Sequence, residues 1–203
     1  MAIPLLLHVA SASQALPIVA AALVGGRHLP VPHRRLAIWC CLLVLLDVVD
    51  LIVGASTGNN RWTGYLTLPV EIGMTLWILS SWQSPRWERA YMLAVPAIGA
   101  CVAIMLLLTD PLRTFDVWVS PFLALLALAA SLHTLVMRAL LSTAALGRLD
   151  WFWICLGMAI FWVVQISSPV FAFAFMRTHQ DWVRLILLFR AGLMILGFLC
   201  MTW

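Results

Sequence analysis

Residues 36–55 read LAIWCCLLVLLDVVDLIVGA, an apolar run in which only Asp47 and Asp50 are charged. A transmembrane α-helix needs about 20 predominantly apolar residues, so this stretch predicts a helix that crosses a membrane. A charge in the hydrocarbon core costs at least ~2.5–3.5 kcal/mol on insertion scales, and such residues therefore usually face a bundle interior or a water-filled cavity. The stretch predicts both the fold class and a candidate functional layer.

The rest of the chain repeats this pattern of long apolar runs separated by short polar loops. Of the 203 residues, 64% are hydrophobic, which is far above the usual share for a soluble domain. Breaks rich in Pro, Gly and Arg separate the runs, as expected for turns between helices. The sequence thus predicts a single all-α domain, residues 1–203, with seven transmembrane helices. These helices cover about 4–24, 36–55, 62–82, 90–109, 117–141, 151–175 and 182–203.

The arginines predict the orientation of these helices. Loops on the cytoplasmic side of membrane proteins carry an excess of basic residues. The loops after the first, third and fifth predicted helices contain Arg27, Arg34, Arg35, Arg86, Arg89, Arg138 and Arg148. The opposite side has fewer, namely Arg61, Arg113, Arg177 and Arg184. We therefore predict that the N-terminus is outside and the C-terminus inside.

Five polar side chains from different predicted helices fall at nearly one depth. At 1.5 Å rise per residue from the outer end of each span, Asp47 and Arg190 lie about 12 Å deep and Glu71 about 14 Å. By the same count Gln14 and Gln165 lie about 15 Å deep. Because charged residues inside a membrane often mark a functional site, we treat this layer as the candidate site.

Neighbouring residues extend the layer towards the outer surface. Asp50 lies one turn from Asp47 on the same helix face. Asn60, in the following outer loop, is a candidate orienting donor. Pro17, Pro69 and Pro169 also lie in this outer region, where each proline frees a backbone carbonyl that protein or cavity water can satisfy. Together these features predict a small polar cavity that opens outward.

The charge balance of the layer predicts pairing and a surplus of acid. Arg190 is expected within salt-bridge reach of Glu71, Asp47 or Asp50, since a guanidinium can bind carboxylates bidentately. Three acids against one arginine leave at least one carboxylate without such a partner. This surplus suits proton or cation handling, or recognition of a cationic group. The other reading is structural, in which the charges only fix the register of the helices.

Several function classes find no support in the sequence. The chain has no lysine, which excludes a retinal held as a Schiff base, and we expect no other cofactor. The five histidines are dispersed, so no metal site is expected, and no catalytic motif is present. The five cysteines contain no C-x-x-C pair. A basic patch with interleaved aromatic residues is absent, which argues against nucleic acid as a partner.

One group of proteins has a similar pattern. The string Asn59-Asn60-Arg61-Trp62 is followed by Tyr65 and Glu71, and the stretch 150–154 reads DWFWI at the start of the sixth predicted helix. This pattern resembles small bacterial seven-helix inner-membrane proteins that carry Asn-Asn-x-Trp before a helix with a buried glutamate. The group has no assigned activity, so the resemblance implies the architecture, a bacterial inner-membrane location and a role for Glu71. The chain departs from the group by its arginine-only basic residues and by Pro69.

The sequence leaves three functions open. The favoured one is a module, either a sensor or a carrier, that binds a small ligand, ion or proton in the outward-facing layer. Its residues would be Asp47, Asp50, Glu71, Arg190, Gln14, Gln165 and Asn60. The second is a non-catalytic subunit of a larger membrane complex, with protein partners besides the bilayer. The third is an intramembrane enzyme, which is disfavoured because no histidine or metal site accompanies the polar layer.

Overall fold

The computed structural model describes residues 2–25, 28–58, 63–108, 120–175 and 180–202, and this part of the chain is helical. The helices are α1 (Ala2–Ala12), α2 (Leu16–Val24), α3 (Val31–Thr57), α4 (Gly64–Ser80), α5 (Pro85–Leu108), α6 (Ser120–Leu141), α7 (Asp150–Phe175) and α8 (Gln180–Thr202). Short 3₁₀ turns cover Ser13–Ala15 and Leu146–Arg148. Because the first turn joins α1 to α2 directly, the described chain forms seven helical rods, and the predicted all-α class is confirmed.

Most of these rods are long enough to cross a membrane. Five candidate spans meet the length and hydropathy that a crossing needs, and these are Val31–Thr57, Pro85–Ile104, Ser120–Leu141, Asp150–Ser167 and Trp182–Thr202. A shorter apolar segment covers His8–Val24. The protein is therefore an integral membrane protein. Helix α4 has 17 described residues, which rise about 25 Å, somewhat less than the ~30 Å hydrocarbon core.

Two helices begin earlier than the sequence analysis expected. Helix α3 begins at Val31 and not at Leu36, and α5 begins at Pro85 and not at Ala90. Proline in the first helical turn costs no hydrogen bond, because the first backbone N–H groups have no partner within the helix. The prolines at these sites therefore start helices, whereas the prediction placed them in loops. The predicted ends at Trp62, Thr109, Val117 and Trp203 lie outside the described residues.

The bundle is centred on α7, which packs against α6 on one side and α8 on the other. Aromatic rings from three helices fill the space next to it. The Trp39 ring meets Phe161 edge-on at 5.4 Å between centroids, and Phe198 lies 5.8 Å from Phe161. All three side chains are buried. Edge-to-face aromatic pairs add to the energy of burial, so this cluster ties α3 to α7 and α8.

Helices α7 and α8 approach closely at a pair of glycines. A Cβ atom placed on Gly157 would lie 2.5 Å from the backbone oxygen of Gly197 and 2.6 Å from Cγ of Met201. No real side chain occupies such a position without moving the opposite backbone. Small residues allow membrane helices to pack with their backbones close together, where lipid provides no hydrophobic drive for association. This pair therefore sets the distance between α7 and α8.

An arginine holds the end of α4. The Nη1 atom of Arg35 donates hydrogen bonds to the carbonyl oxygen of Trp77 at 2.6 Å and to Oγ of Ser81 at 2.7 Å. Its guanidinium also lies over the Trp77 ring, 4.6 Å from the centroid. The last carbonyls of a helix have no partner within it, and a cation there also favours the helix dipole. Arg35 therefore fixes the end of α4 against α3.

The outer surface of the bundle is strongly apolar. Leucines at 23, 51, 93 and 140 each expose more than 70% of their surface, and Phe189 exposes 67%. Exposed apolar patches of this extent are rare on soluble monomers. Lipid chains are the natural environment for such a surface, which agrees with the span lengths.

Candidate functional site

The first rod is broken where the candidate layer begins. Pro17 has no N–H, and its ring would clash with the carbonyl of Ser13 four residues earlier in a regular helix. The chain responds with the 3₁₀ turn Ser13–Ala15, in which the N–H of Leu16 donates to the Ser13 oxygen. The Ser13 hydroxyl donates to the carbonyl oxygen of Ala10 at 2.6 Å. The turn thus satisfies groups that the proline would leave unpaired.

This break changes the partners of the rod along its length. Helix α1 packs against α8, whereas α2 packs against both α3 and α8. The α1 part of the rod therefore diverges from α3 and leaves a groove of about 620 Å³ between α1 and α3. The groove is lined by His8, Ser11, Ala12, Gln14, Ala15, Val44, Asp47, Val48, Asp50 and Leu51. Two sequence-predicted acids and one predicted glutamine thus share a single groove.

Gln14 and Asp47 contact each other across the groove. Nε2 of Gln14 donates a hydrogen bond to Oδ2 of Asp47 at 2.9 Å. Only 4% of Gln14 is exposed, yet its Oε1 accepts no hydrogen bond from the residues that the structure describes. A buried carbonyl oxygen without a donor loses about 1–3 kcal/mol of solvation. Asp47 itself lies on an exposed face of α3.

Asp50 connects the groove to the start of α4. The Thr63 hydroxyl donates a hydrogen bond to Oδ1 of Asp50. Thr63 is buried and stands directly before α4, so its hydroxyl bonds to α3 and does not cap its own helix. Thr63 was not among the residues expected from the sequence. A threonine directly before a helix predicts an N-cap, and its hydrogen bond to Asp50 depends on how α3 lies beside α4.

Glu71 completes the acidic neighbourhood from α4. Its side chain is half-buried and lies within electrostatic range of both Asp47 and Asp50. Pro69, two residues earlier, lies inside α4. The Thr75 hydroxyl donates to the carbonyl oxygen of Glu71 at 2.9 Å. Depth arithmetic assigned Asp47 and Glu71 to one layer and placed Asp50 one turn further along α3, and the three acids lie within electrostatic range of one another in the folded chain.

Arg190 interacts with this neighbourhood only through space. It is half-buried on α8 and lies within electrostatic range of Asp47. Among the described side chains, the ion pair within 4.0 Å joins His33 to Asp150, and Arg190 forms none with the three acids. The predicted direct salt bridge is therefore not formed. Depth along the helix axis carries no information on where each side chain points.

The other two predicted residues are not joined to the groove. Gln165 is half-buried on α7, and within the described part of the chain no hydrogen bond connects it to the acids. Asn60 lies outside the described residues. The acids were expected to face the interior of the bundle, and their observed position differs. The groove is at the edge of the bundle, because the broken first rod leans towards α8 and exposes one face of α3.

A second cavity lies on another side of the bundle and is almost wholly apolar. It has a volume of about 490 Å³ and is lined by residues of α4, α5 and α6. His133 and Tyr91 stand at its polar end, where the Tyr91 oxygen lies 2.8 Å from Nδ1 of His133. The Trp87 ring lies 4.7 Å from the His133 ring. A fissure of this kind suits a lipid chain, but it contains few groups that could select a particular ligand.

The described residues offer no cluster of three or more His, Cys, Asp or Glu side chains that could hold a metal ion. The polar groups that line the groove are the Asp47 and Asp50 carboxylates, the Gln14 amide, the Ser11 hydroxyl and the His8 imidazole. The sequence analysis had expected no histidine beside the polar layer, and the position of His8 corrects that expectation. Comparison of the chain with protein-family models, curated proteins and solved structures finds no match. The geometry of the groove is thus the basis for any functional assignment.

Proposed function

We propose that this protein is a seven-span membrane module, with its N-terminus outside, that binds a small ligand or ion in the groove between α1 and α3. The single observation that carries the proposal is the exposed Asp47 carboxylate, which lines the groove beside Asp50 and is held by Gln14, whose own buried Oε1 has no donor within the described chain. Polar groups at hydrocarbon depth are costly, so an unfilled acceptor there argues for a bound partner. The arginine distribution supports the proposed orientation.

Each residue of the groove has a distinct part in this proposal. Asp47 is the primary ligand or proton acceptor, because one of its oxygens is held by Gln14 and its side chain is exposed to the groove. Asp50, held by Thr63, adds a second negative charge. Glu71 on α4 adds to the negative potential at Asp47 and Asp50. Arg190 on α8 offsets part of this potential at Asp47 without forming an ion pair with it. The net acidic balance favours a cation or a proton.

The bend in the first rod supports a carrier or sensor. The 3₁₀ turn separates α1, which packs on α8, from α2, which packs on both α3 and α8, and a change of backbone angles at this turn would alter the distance between α1 and α3. Hinges of this kind are a few element-terminal residues that absorb backbone changes. A ligand that bridges Gln14 and Asp47 would bind the two rods together. In a carrier this movement would close the groove, and in a sensor it would transmit occupancy to a partner.

Cysteine accessibility tests the proposal. Ser11→Cys, in a variant whose five native cysteines are replaced by alanine, places a thiol on the groove wall. From the outer side we expect a cationic methanethiosulfonate to react faster than an anionic one of similar size, because acidic clefts concentrate cations. Asp47→Asn should reduce this preference. Leu45→Cys, exposed on α3 but outside the groove lining, is the matched control and should stay unreactive in lipid.

The result that overturns the proposal is a Ser11→Cys thiol that neither reagent reaches in the purified protein. A groove closed to water could not exchange a ligand with the outer compartment. Equal rates for the two reagents, unchanged by Asp47→Asn, would likewise contradict an acidic binding site.

The exposure of Asp47 also favours a second candidate function, an accessory subunit of a membrane complex. A carboxylate on the surface of a bundle at hydrocarbon depth is stabilised when another helix covers it. The same thiol separates the two functions. If a partner helix fills the groove, Ser11→Cys is protected in native membranes, becomes reactive after purification, and a second chain co-purifies in fixed proportion. For a ligand-binding module, the reactivity is the same in both preparations.

A further inference from the structure

The groove offers the Asp47 and Asp50 carboxylates to whatever it binds. Asp47 accepts a hydrogen bond from Gln14, whose own Oε1 is buried without a donor from the described residues, and Asp50 accepts one from Thr63. Each of these groups is satisfied best by N–H or O–H donors, and hydrogen bonds to charged groups contribute more than neutral ones. A ligand that fits these acceptors brings several donors and a positive charge.

The walls and the size of the groove describe the rest of the ligand. Val44, Val48 and Leu51 lie one turn apart on α3 and form an apolar stripe beside the acids, with Leu51 exposed by 72%. A volume of about 620 Å³ is within the usual range of organic-ligand pockets and far larger than a bare ion needs. The described residues also lack a metal-binding cluster. The groove therefore suits an organic cation that carries hydrocarbon.

We infer that the groove binds an amphipathic primary ammonium, with its –NH₃⁺ group on the exposed side of the Asp47 carboxylate and its hydrocarbon chain along the α3 stripe. The inference rests on the proposed function and specifies the ligand class of that site. A primary ammonium has three donors and one charge, which suits the Asp47 carboxylate and the nearby Asp50. A quaternary ammonium group has no N–H donor for these oxygens, and a bare metal ion leaves the apolar stripe uncovered.

The open side of the groove explains how such a ligand arrives. Three lining residues are partly exposed on the side of α3 that is not covered by other helices, namely Val44, Val48 and Leu51. In a bilayer this face meets acyl chains, so an amphipathic amine can enter sideways without leaving the membrane. The divergence of α1 from α3 places the polar end of the groove next to this entrance. Two sources share this chemistry, a free long-chain amine and the ethanolamine headgroup of a lipid.

Native mass spectrometry of the purified protein in a maltoside detergent tests the inference with four probes. Decylamine should bind. Decyltrimethylammonium retains the charge and chain but has no N–H, decanol has no charge, and ethanolamine has no chain. We expect each of the three to bind at least about tenfold more weakly than decylamine, because the first two lose a charge-assisted hydrogen bond and ethanolamine loses the buried hydrocarbon chain. Equal binding of decyltrimethylammonium and decylamine would overturn the inference, as would equal binding of ethanolamine.

Matched variants locate the site. Asp47→Asn keeps the shape of the side chain while removing the charge, and it should abolish the preference for decylamine. Asp150→Asn removes a carboxylate outside the groove and should leave binding unchanged. Val48→Trp fills the groove, whereas Val49→Trp places the same bulk on the neighbouring residue, which does not line it. Binding that survives both Asp47→Asn and Val48→Trp would overturn the inference even if decylamine binds the wild-type protein.

A competition experiment in nanodiscs separates the two sources. If phosphatidylethanolamine displaces decylamine and phosphatidylcholine does not, the lipid headgroup is the source, and if neither lipid competes, a free amine is. Either result supports the ammonium site. The proposed function has its own outcome, since a water-accessible Ser11→Cys thiol combined with no decylamine preference refutes the ligand class alone. A groove closed to the thiol reagents refutes exchange with the outer compartment, and a decylamine preference that is lost in Asp47→Asn would then still support the ammonium site through entry from the bilayer.

Discussion

At the scale of single residues, the hydrogen bond between Gln14 and Asp47 determines whether the groove has a fixed geometry. The amide holds one carboxylate oxygen at 2.9 Å, while its own oxygen is buried without a donor from the described residues. The same two residues could simply fix the register of the first two rods, and the two roles predict different mutational results.

Gln14→Leu tests both roles. The variant removes the donor to Asp47, and we expect the protein to lose about 1–3 kcal/mol of stability, as for other hydrogen bonds to a charged partner. Decylamine binding should also be lost. Gln165→Leu is the matched control, because Gln165 has the same chemistry at a similar predicted depth but no hydrogen bond to the acids. Unfolding in detergent measures stability, and equal losses in the two variants would contradict a special role for Gln14.

At the scale of helices, the sequence predicts how far along its helix a residue lies much better than it predicts the direction in which the side chain points. The rise per residue brought Gln14, Asp47 and Glu71 to one layer, and these residues interact in the folded chain. Rise alone could not place Arg190 or Gln165 around their helix axes, because a bundle fixes rotation through long-range packing. The shift of the groove to the bundle edge depends on the lean of α1 towards α8, which no local pattern encodes.

Pro17→Ala should straighten the first rod. Alanine restores the N–H that a regular helix donates and removes the clash with the Ser13 carbonyl, so the variant should be no less stable than the parent. A straight rod lies closer to α3, and we expect slower labelling of Ser11→Cys and weaker decylamine binding. Pro96→Ala, in α5 and exposed away from the groove, is the control. Unchanged labelling in Pro17→Ala would show that the proline does not open the groove.

Arg35→Lys should weaken the junction between α3 and α4. Lysine retains the charge but cannot contact the Trp77 carbonyl and the Ser81 hydroxyl with one planar group while stacking on the Trp77 ring. We expect a loss of about 1.5–3 kcal/mol, the range for hydrogen bonds to charged groups. Arg34→Lys, at the exposed neighbouring position, should change stability little. Thermal unfolding in detergent compares the two variants.

Gly157→Ala should separate α7 from α8. The added methyl group would lie 2.5 Å from a backbone oxygen that cannot rotate away. Overpacking of this kind typically costs about 1–3 kcal/mol. Gly192→Ala adds the same atom to α8, where nothing lies within 4 Å, and should be neutral or slightly stabilising because alanine favours helix. A Gly157→Ala protein as stable as Gly192→Ala would mean that the two helices pack less closely.

At the scale of the whole molecule, the orientation of the bundle in the membrane decides which side of the membrane the groove faces. The acids lie on the outer half of α3 and α4 only if the arginine-rich loops face the cytoplasm. The same bundle inserted the other way would open its groove inward, and its ligand would come from the cytoplasmic leaflet. Composition and loop charge predict one orientation, while the packing of the helices is compatible with either, because interior contacts are the same in both.

Labelling from the two sides of the membrane tests the orientation. Val31→Cys begins α3 on the predicted inner side, and Thr57→Cys ends it on the predicted outer side. Thr57 is preferable to Gly58, whose φ of 69° is strained for any residue with a side chain. In the cysteine-free background, an impermeant thiol reagent added outside should label Thr57→Cys only, and Val31→Cys should react only after permeabilisation. The reverse pattern would place the groove on the cytoplasmic side. It would also move the amine site to the inner leaflet, with its chemistry unchanged, because Gln14, Asp47 and the α3 stripe keep their mutual geometry in either orientation.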